Sequence, residues 1–283
     1  MAFAAPGRDA PGAGATDSSL AEVRAALRAG ELPKAIAAGE AAVAADPSSS
    51  EANDLLGRAY GLTAQDASLF QQMHLARRAR ACFARAVELD PRNVAALSDL
   101  ARYDMRAPGV LGGGKKKART LVDRVLELEP ARGHVLSAEL AELEKDPVRA
   151  EKEYREAIAA DPRSAEGWTG LSAMLVSRRR FADARRLWRE AAEETGAALP
   201  AWGLAGVALA SGEELPAAAE ALAAVLERPD WTGDPEPAQC HERLAAVYAE
   251  LGRRREAAAE LEAALRLEPG RADWRRRLGH LER

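Results

Sequence analysis

The stretch Ala42-Val43-Ala44-Ala45-Asp46-Pro47 decides the fold, because its pattern returns four times along the sequence. The later copies are Ala86-Val87-Glu88-Leu89-Asp90-Pro91, Val125-Leu126-Glu127-Leu128-Glu129-Pro130, Ala157-Ile158-Ala159-Ala160-Asp161-Pro162 and Ala264-Leu265-Arg266-Leu267-Glu268-Pro269. Each sets a small or β-branched residue five positions before a proline, an aliphatic beside it, and an acid directly ahead of the proline. Proline cannot continue a helix and restricts the residue before it, so each copy reads as the end of a helix. The first four prolines are 44, 39 and 32 residues apart. A pattern returning at that interval marks a stacked helical repeat.

Composition agrees. The 283 residues are 47% hydrophobic but only 5% aromatic, with alanine abundant, which suits close helix packing rather than a β-sandwich. Charged residues make up 30% and the net charge is −4, so the surface has mixed signs and no general pull toward a polyanion. No apolar run approaches 18 residues, so no membrane-spanning helix is expected. Cys82 and Cys240 fall in distant repeats and are read as packing residues rather than a disulfide.

Working outward from the stops, each unit parses as two helices, A then B. Unit two carries Leu56, Gly57 and Tyr60, then Ala79, Phe83, Ala86 and Pro91. Unit four carries Ala150, Tyr154, Ala157 and Pro162. Unit five carries Trp168, Leu171, Ser172 and Leu175, then Ala184, Trp188 and Ala191. Unit seven carries Leu244, Ala245, Tyr248, Gly252, Ala257, Leu261, Ala264 and Pro269. On these residues the sequence resembles the tetratricopeptide repeat (TPR) family, whose pattern is W-x-x-L-G-x-x-Y, then A-x-x-x-F, then P. The small residues let backbones approach, and large ones three and four positions away fill the gaps.

The resemblance implies an all-α fold, a right-handed α-α superhelix (TPR solenoid) of about seven helix pairs in one domain over 18–283. Units end near 47, 91, 130, 162, 196, 229 and 269. The first is degenerate: Leu20, Val23 and Leu27 stand where larger groups are usual, while Gly30, Ala35 and Ala42 fit, as in a terminal capping repeat. Residues 271–282 read as a capping helix, with Trp274 and Leu278 on the last repeat and Arg275, Arg276 and Arg277 in water. Residues 1–17 are rich in Ala, Gly and Pro and are expected to be a disordered tail.

Three insertions break the rhythm. Between Tyr60 and Ala79 about ten residues are added; Leu69, Phe70, Met73 and Leu75 keep helical spacing, so a lengthened B helix from near Asp66 is expected. About five are added over 106–118. The bridge 229–238 reads as a polar, Pro-rich loop with Trp231 exposed. The repeat-two insert together with the Ala107-Pro108-Gly109 turn is similar to some bacterial TPR proteins that are exported. Ala2-Phe3-Ala4 has the small-x-small form of a signal-peptidase site, so the location reads as cytoplasmic as written, periplasmic or secreted if a leader was removed.

Chemistry is sparse. Gly109–Lys116 satisfies G-x-x-x-x-G-K, but Lys116 stands where a phosphate loop needs Ser or Thr, and a helix precedes it rather than a strand. A flexible turn is the favoured reading; nucleotide or anion binding there is the alternative. His74, His134, His241 and His280 never share a chelating spacing, and Cys240 and His241 point about 100° apart on a helix. No metal site, cofactor or catalytic residue is expected. Arg178–Arg180 and Arg253–Arg255 sit at A-to-B turns, where cations complement the helix C-terminus, and no nucleic-acid partner is expected.

The resemblance places A helices along a concave groove that holds peptides. Carried over by position, the inward residues are Arg58, Arg102, Arg106, Glu139, Thr169, Trp202 and Glu242, with units four and six uncertain by one residue and Trp202 a possible core aromatic. The family's carboxylate-clamping Lys and Asn set is missing from units two and three. The expected function is a non-catalytic scaffold or adaptor holding a protein segment. The alternatives are an exported envelope assembly or trafficking helper, and self-association through Phe70 and Met73.

Overall fold

The structure is a computed structural model and describes residues 13–65, 67–196, 198–228 and 235–282. Among these residues there are fifteen α-helices, one 3-10 turn and no strand. Helix pairs follow in order: α1 (Ala13–Arg28) with α2 (Leu32–Ala45), α3 (Ser50–Gln65) with α4 (Leu69–Leu89), and α5 (Val94–Arg106) with α6 (Lys115–Leu128). Then come α7 (Pro130–Leu143) with α8 (Pro147–Ala160), α9 (Ala165–Ser177) with α10 (Phe181–Thr195), α11 (Ala198–Ser211) with α12 (Leu215–Leu226), and α13 (Pro237–Glu250) with α14 (Arg254–Leu267). A single helix, α15 (Ala272–Leu281), follows the last pair. The fold is all-α, of the helix-pair solenoid class.

Helix α1 starts at Ala13, inside the span expected to be a disordered tail; residues 1–12 of that span lie outside the described residues, as do Asp66 and Trp231. The repeat-two insert is helical, and α4 runs to 21 residues.

Four of the five acid–proline pairs work by two different mechanisms. At Asp46, Asp90 and Asp161 the carboxylate turns back on its own backbone, its Oδ1 accepting the N–H of Ser48, Arg92 and Arg163 at 3.0, 2.9 and 3.1 Å. That side-chain turn bends the backbone for three residues before the next A helix. At Glu129 no such bond forms, and α7 starts on Pro130 itself, its first position, where a missing N–H costs nothing. The shortened link is why unit four is the shortest.

The A-to-B corners also recur. The N–H groups of Glu31, Asp146, Arg180 and Arg253 reach back to the carbonyls of Ala26, Ala141, Leu175 and Tyr248, closing the helix ends. The residue before each has positive φ: Gly30 and Gly252, but also Lys145 at 62° and Arg179 at 59°.

The core follows the recurring pattern. Ala42, Ala86, Val125, Ala157 and Ala264 are all buried, and the aliphatics after them lie half-buried. Trp188 is almost wholly enclosed, and its Nε1 donates to Ser172 Oγ at 2.8 Å, so its one polar atom is satisfied. It lies flat on Gly203, where an added Cβ would fall 2.1 Å from the ring. Trp274 of α15 is buried with Leu261 and Ala264, covering the last pair. Arg277, expected in water, instead pairs with Glu242.

Packing divides the protein into two compact units at Gly113–Gly114. In the first, α1 touches α3 and α3 touches α5; in the second, α7 touches α9, α9 touches α11 and α11 touches α13. The B helices pack on A helices rather than on one another. Within each unit the A helices therefore take the shorter, inner side of the stack.

Candidate functional site

The A-helix face of the first unit carries Arg58 on α3 and Arg102 and Arg106 on α5. Arg58 does not present an open fork. Its Nε lies 2.5 Å from Asp99 Oδ2 and 3.3 Å from Asp54 Oδ2, so one guanidinium serves two carboxylates. Asp54 is 3% exposed, and its Oδ1 meets no hydrogen-bond donor. Burial, helped by the charge of Asp99, pushes its carboxyl up to about 7, with Arg58 pulling the other way. Arg102 is close enough to act electrostatically on Arg58. Arg106 is exposed in the last turn of α5. Beneath this face, Arg80 of α4 meets the buried Asp104 at 3.0 Å.

In the second unit Glu139 is half-buried on α7. Thr169 turns its hydroxyl inward along α9, donating to the Ala165 carbonyl at 2.7 Å. Trp202 is half-buried on α11 and packs against two core clusters, so it is both a face residue and a core aromatic. Across from it on α13, the Arg243 guanidinium lies 3.4 Å from the Trp202 ring centroid, and its Nη1 donates to the Trp202 carbonyl at 3.1 Å. Glu242, next along α13, pairs with Arg277. The seven expected residues thus fall on touching A helices within each unit, Arg58, Arg102 and Arg106 on α3 and α5, and Glu139, Thr169, Trp202 and Glu242 on α7, α9, α11 and α13. Asp54, Asp99 and Arg243 were not among the expected residues; nothing in their spacing sets them apart from surface charges.

Two further pairs share one geometry. His134 Nδ1 lies 2.8 Å from Glu153 Oε2, and His241 Nδ1 lies 2.6 Å from Glu260 Oε2, each joining an A helix to its own B helix. Among the described residues no cluster of three or more His, Cys, Asp or Glu could hold a metal ion. The thiols of Cys82 and Cys240 are both free, and burial pushes them up to about 11 and about 12, away from the reactive thiolate.

The glycine-rich turn does not look like a phosphate cradle. Gly109–Leu111 forms the 3-10 turn, its last carbonyl accepting from Tyr103 Oη at 3.0 Å. Lys115 is the first residue of α6, and its Nζ donates to the Leu143 carbonyl at 3.1 Å. One arginine of each basic turn triplet is likewise engaged. Arg180 meets Glu151 at 2.6 Å and Asp183 at 2.7 Å, and Arg253 meets Glu256 at 2.6 Å. That arrangement is local charge pairing rather than a basic stripe.

The repeat-two insert leaves an apolar feature on the first unit. A groove of about 620 Å³ runs between the start of α2, the end of α3 and the start of α4, lined by Leu32, Pro33, Thr63, Ala67, Phe70 and Leu75 among others. Phe70 is 86% exposed and Leu69 68%.

Comparison with known proteins bears on identity. A family model described as tetratricopeptide repeat matches residues 20–61 and 175–235, which take in most of α1, all of α2, most of α3, and α10 to α12. The chain carries tetratricopeptide repeats. This TPR protein matches a solved TPR protein from Parabacteroides merdae at 14% identity with a TM-score of 0.51, over 95% of its own length and 100% of that one's. A thermophilic TPR protein of Thermus thermophilus matches at 16% identity, also with a TM-score of 0.51, over 75% of the present protein and 99% of that one. Those identities speak to the fold alone. No curated protein sequence matches this TPR protein. No described helix is long and apolar enough to cross a membrane.

Proposed function

We propose that this TPR protein is a non-catalytic scaffold that holds an extended or helical protein segment along its A-helix faces. The observation that supports this reading is the packing of successive A helices on one another while the B helices stay apart. That sets the polar and aromatic side chains of successive A helices beside one another in each unit, preformed before any partner arrives. A preformed surface avoids the cost of ordering the receptor, so many modest contacts can add up to useful affinity.

The test is site-specific photo-crosslinking in a native extract. A benzophenone group placed at Thr169 or Arg106, on A helices, should capture a partner. One placed at the exposed Glu190 or Glu262, on B helices, should not. Capture from the B-helix positions alone would overturn the reading.

A second reading is favoured by the exposed Phe70 and Leu69 beside their apolar groove. Each copy presents both a protruding ring and a recess, the self-complementary arrangement a two-fold dimer needs. Light scattering of a Phe70→Glu, Met73→Glu variant tests it: a folded protein whose mass matches the parent's would remove it.

A further inference from the structure

Asp54 and Asp99 stand on touching A helices, α3 and α5, and share one cation. The Arg58 Nε–H is spent on Asp99, donating to its Oδ2 at 2.5 Å. Asp54 Oδ2 meets the same guanidinium only as a charge, at 3.3 Å, and its buried Oδ1 receives no hydrogen bond. Two ionised carboxylates beside one guanidinium leave a surplus negative charge, and an enclosed oxygen without a donor is the costliest place for it. A proton on Asp54 removes that surplus. The charges that bear on Asp54 are Asp99 on α5 and Arg58 and Glu51 on α3, while Arg102 on α5 repels Arg58. Helices α1, α2 and α4 also pack on α3, bringing Arg24, Glu40 and Arg80 to this part of the unit. Each is already engaged: Arg24 by Glu51, Glu40 by Tyr60 and Arg78, and Arg80 by Asp104. Burial and the charge of Asp99 push the Asp54 carboxyl up to about 7, so its charge changes in the neutral range.

We infer that the Asp54–Arg58–Asp99 cluster is a proton-sensitive clasp between α3 and α5. With a proton on Asp54, Arg58 is left to Asp99 and ties the two helices together. When that proton leaves to solvent, the buried carboxylate one turn away draws Arg58 back along α3, and the bond to Asp99 weakens. The Arg58 side chain is 41% exposed, so the guanidinium can make that move without repacking the core. A rise in pH thus loosens the joint between the second and third helix pairs and adds one negative charge beneath their A-helix face. None of this requires a segment bound along that face.

The experiment uses the full-length protein labelled with carbon-13 at aspartate Cγ and nitrogen-15 in arginine, followed by NMR as pH is raised through the neutral range. Asp54→Asn and Arg58→Lys assign the two signals by their loss. The Asp54 Cγ signal should titrate in that range, and the Arg58 Nε signal should move with the same midpoint. In Asp54→Asn the Arg58 signal should stay at its low-pH position throughout. In Asp99→Asn, which removes the neighbouring charge, the Asp54 midpoint should fall. Amide hydrogen exchange, corrected for its intrinsic pH dependence, gives the mechanical readout. Openings that expose the α3–α5 joint should become about tenfold more populated from pH ~6 to pH ~8 in the parent, the response to one proton, and stay unchanged in Asp54→Asn. An Asp54 carboxyl already ionised at the acid end of the titration, or an Arg58 signal that ignores the Asp54 midpoint, would overturn the clasp. Both are read on the parent alone, so a variant that fails to fold does not shelter the idea. A pH response of Arg58 that survives in a folded Asp54→Asn would overturn it too, as would an Asp54 midpoint unmoved by Asp99→Asn or exchange in α3 and α5 that does not change with pH.

Discussion

Asp54 Oδ2 lies 3.3 Å from the Nε of Arg58, one turn along α3, while its other oxygen meets no donor. A carboxyl so placed is held up to about 7, against 3.8 for an ordinary aspartate, chiefly by burial. The folded value is raised, so the fold favours the protonated form. This group's contribution is most favourable below pH ~4 and is lost as pH rises toward 7. Asp54→Asn removes the charge and keeps the shape. It should match the parent near pH 4 and exceed it near pH 8, by up to about 4 kcal/mol. Urea denaturation at the two pH values checks this; an equal difference at both would refute it.

Lys145 and Arg179 hold the left-handed corner position that Gly30 and Gly252 hold in other units. A residue with a Cβ there strains against its own backbone, and both are exposed. Lys145→Gly and Arg179→Gly should each stabilise the protein by about 1 kcal/mol, read as a rise in the urea midpoint without a change in slope.

Gly203 meets the flat of Trp188, with no room for a methyl group. Gly203→Ala should destabilise by about 1–3 kcal/mol through overpacking. Pairing it with Trp188→Leu should recover part of the loss, whereas strictly additive losses in the double variant would show that the two residues do not press on each other.

Arg80 is the partner of Asp104, which is 2% exposed. Arg80→Met strands a buried carboxylate and should cost about 3–5 kcal/mol. Arg80→Met with Asp104→Leu should restore most of that, because the cost comes from the uncompensated charge. Thermal unfolding of the two variants side by side decides the matter.

The sequence was legible where it repeats itself. The small residue five before each proline, the aromatics Tyr60, Tyr154, Trp168 and Trp188, and the capping Trp274 all lie in the core. Apolar burial is what a periodic pattern records, so it reads directly. The electrostatics did not. Arg58 looked like an open fork because its spacing gives its face but not its neighbours, and Asp99 reaches it from another helix. Trp202 was ambiguous for a reason now visible. Unit four loses its bend at Glu129, and unit five ends on Gly196 without a proline stop, so counting into units four and six drifts by a residue. Arg243 carried no signal at all: its role comes from a ring 41 residues earlier in the sequence.

The two histidine–glutamate pairs each span 19 residues, and in unit five Trp168 and Leu187, the same distance apart, are both buried in one core cluster. One joint between a helix and its mate is thus written in two alphabets, a dry one and a wet one. A search tuned to greasy letters passes over the wet version, so sister sequences that have exchanged one for the other would look unrelated at that joint while keeping its spacing.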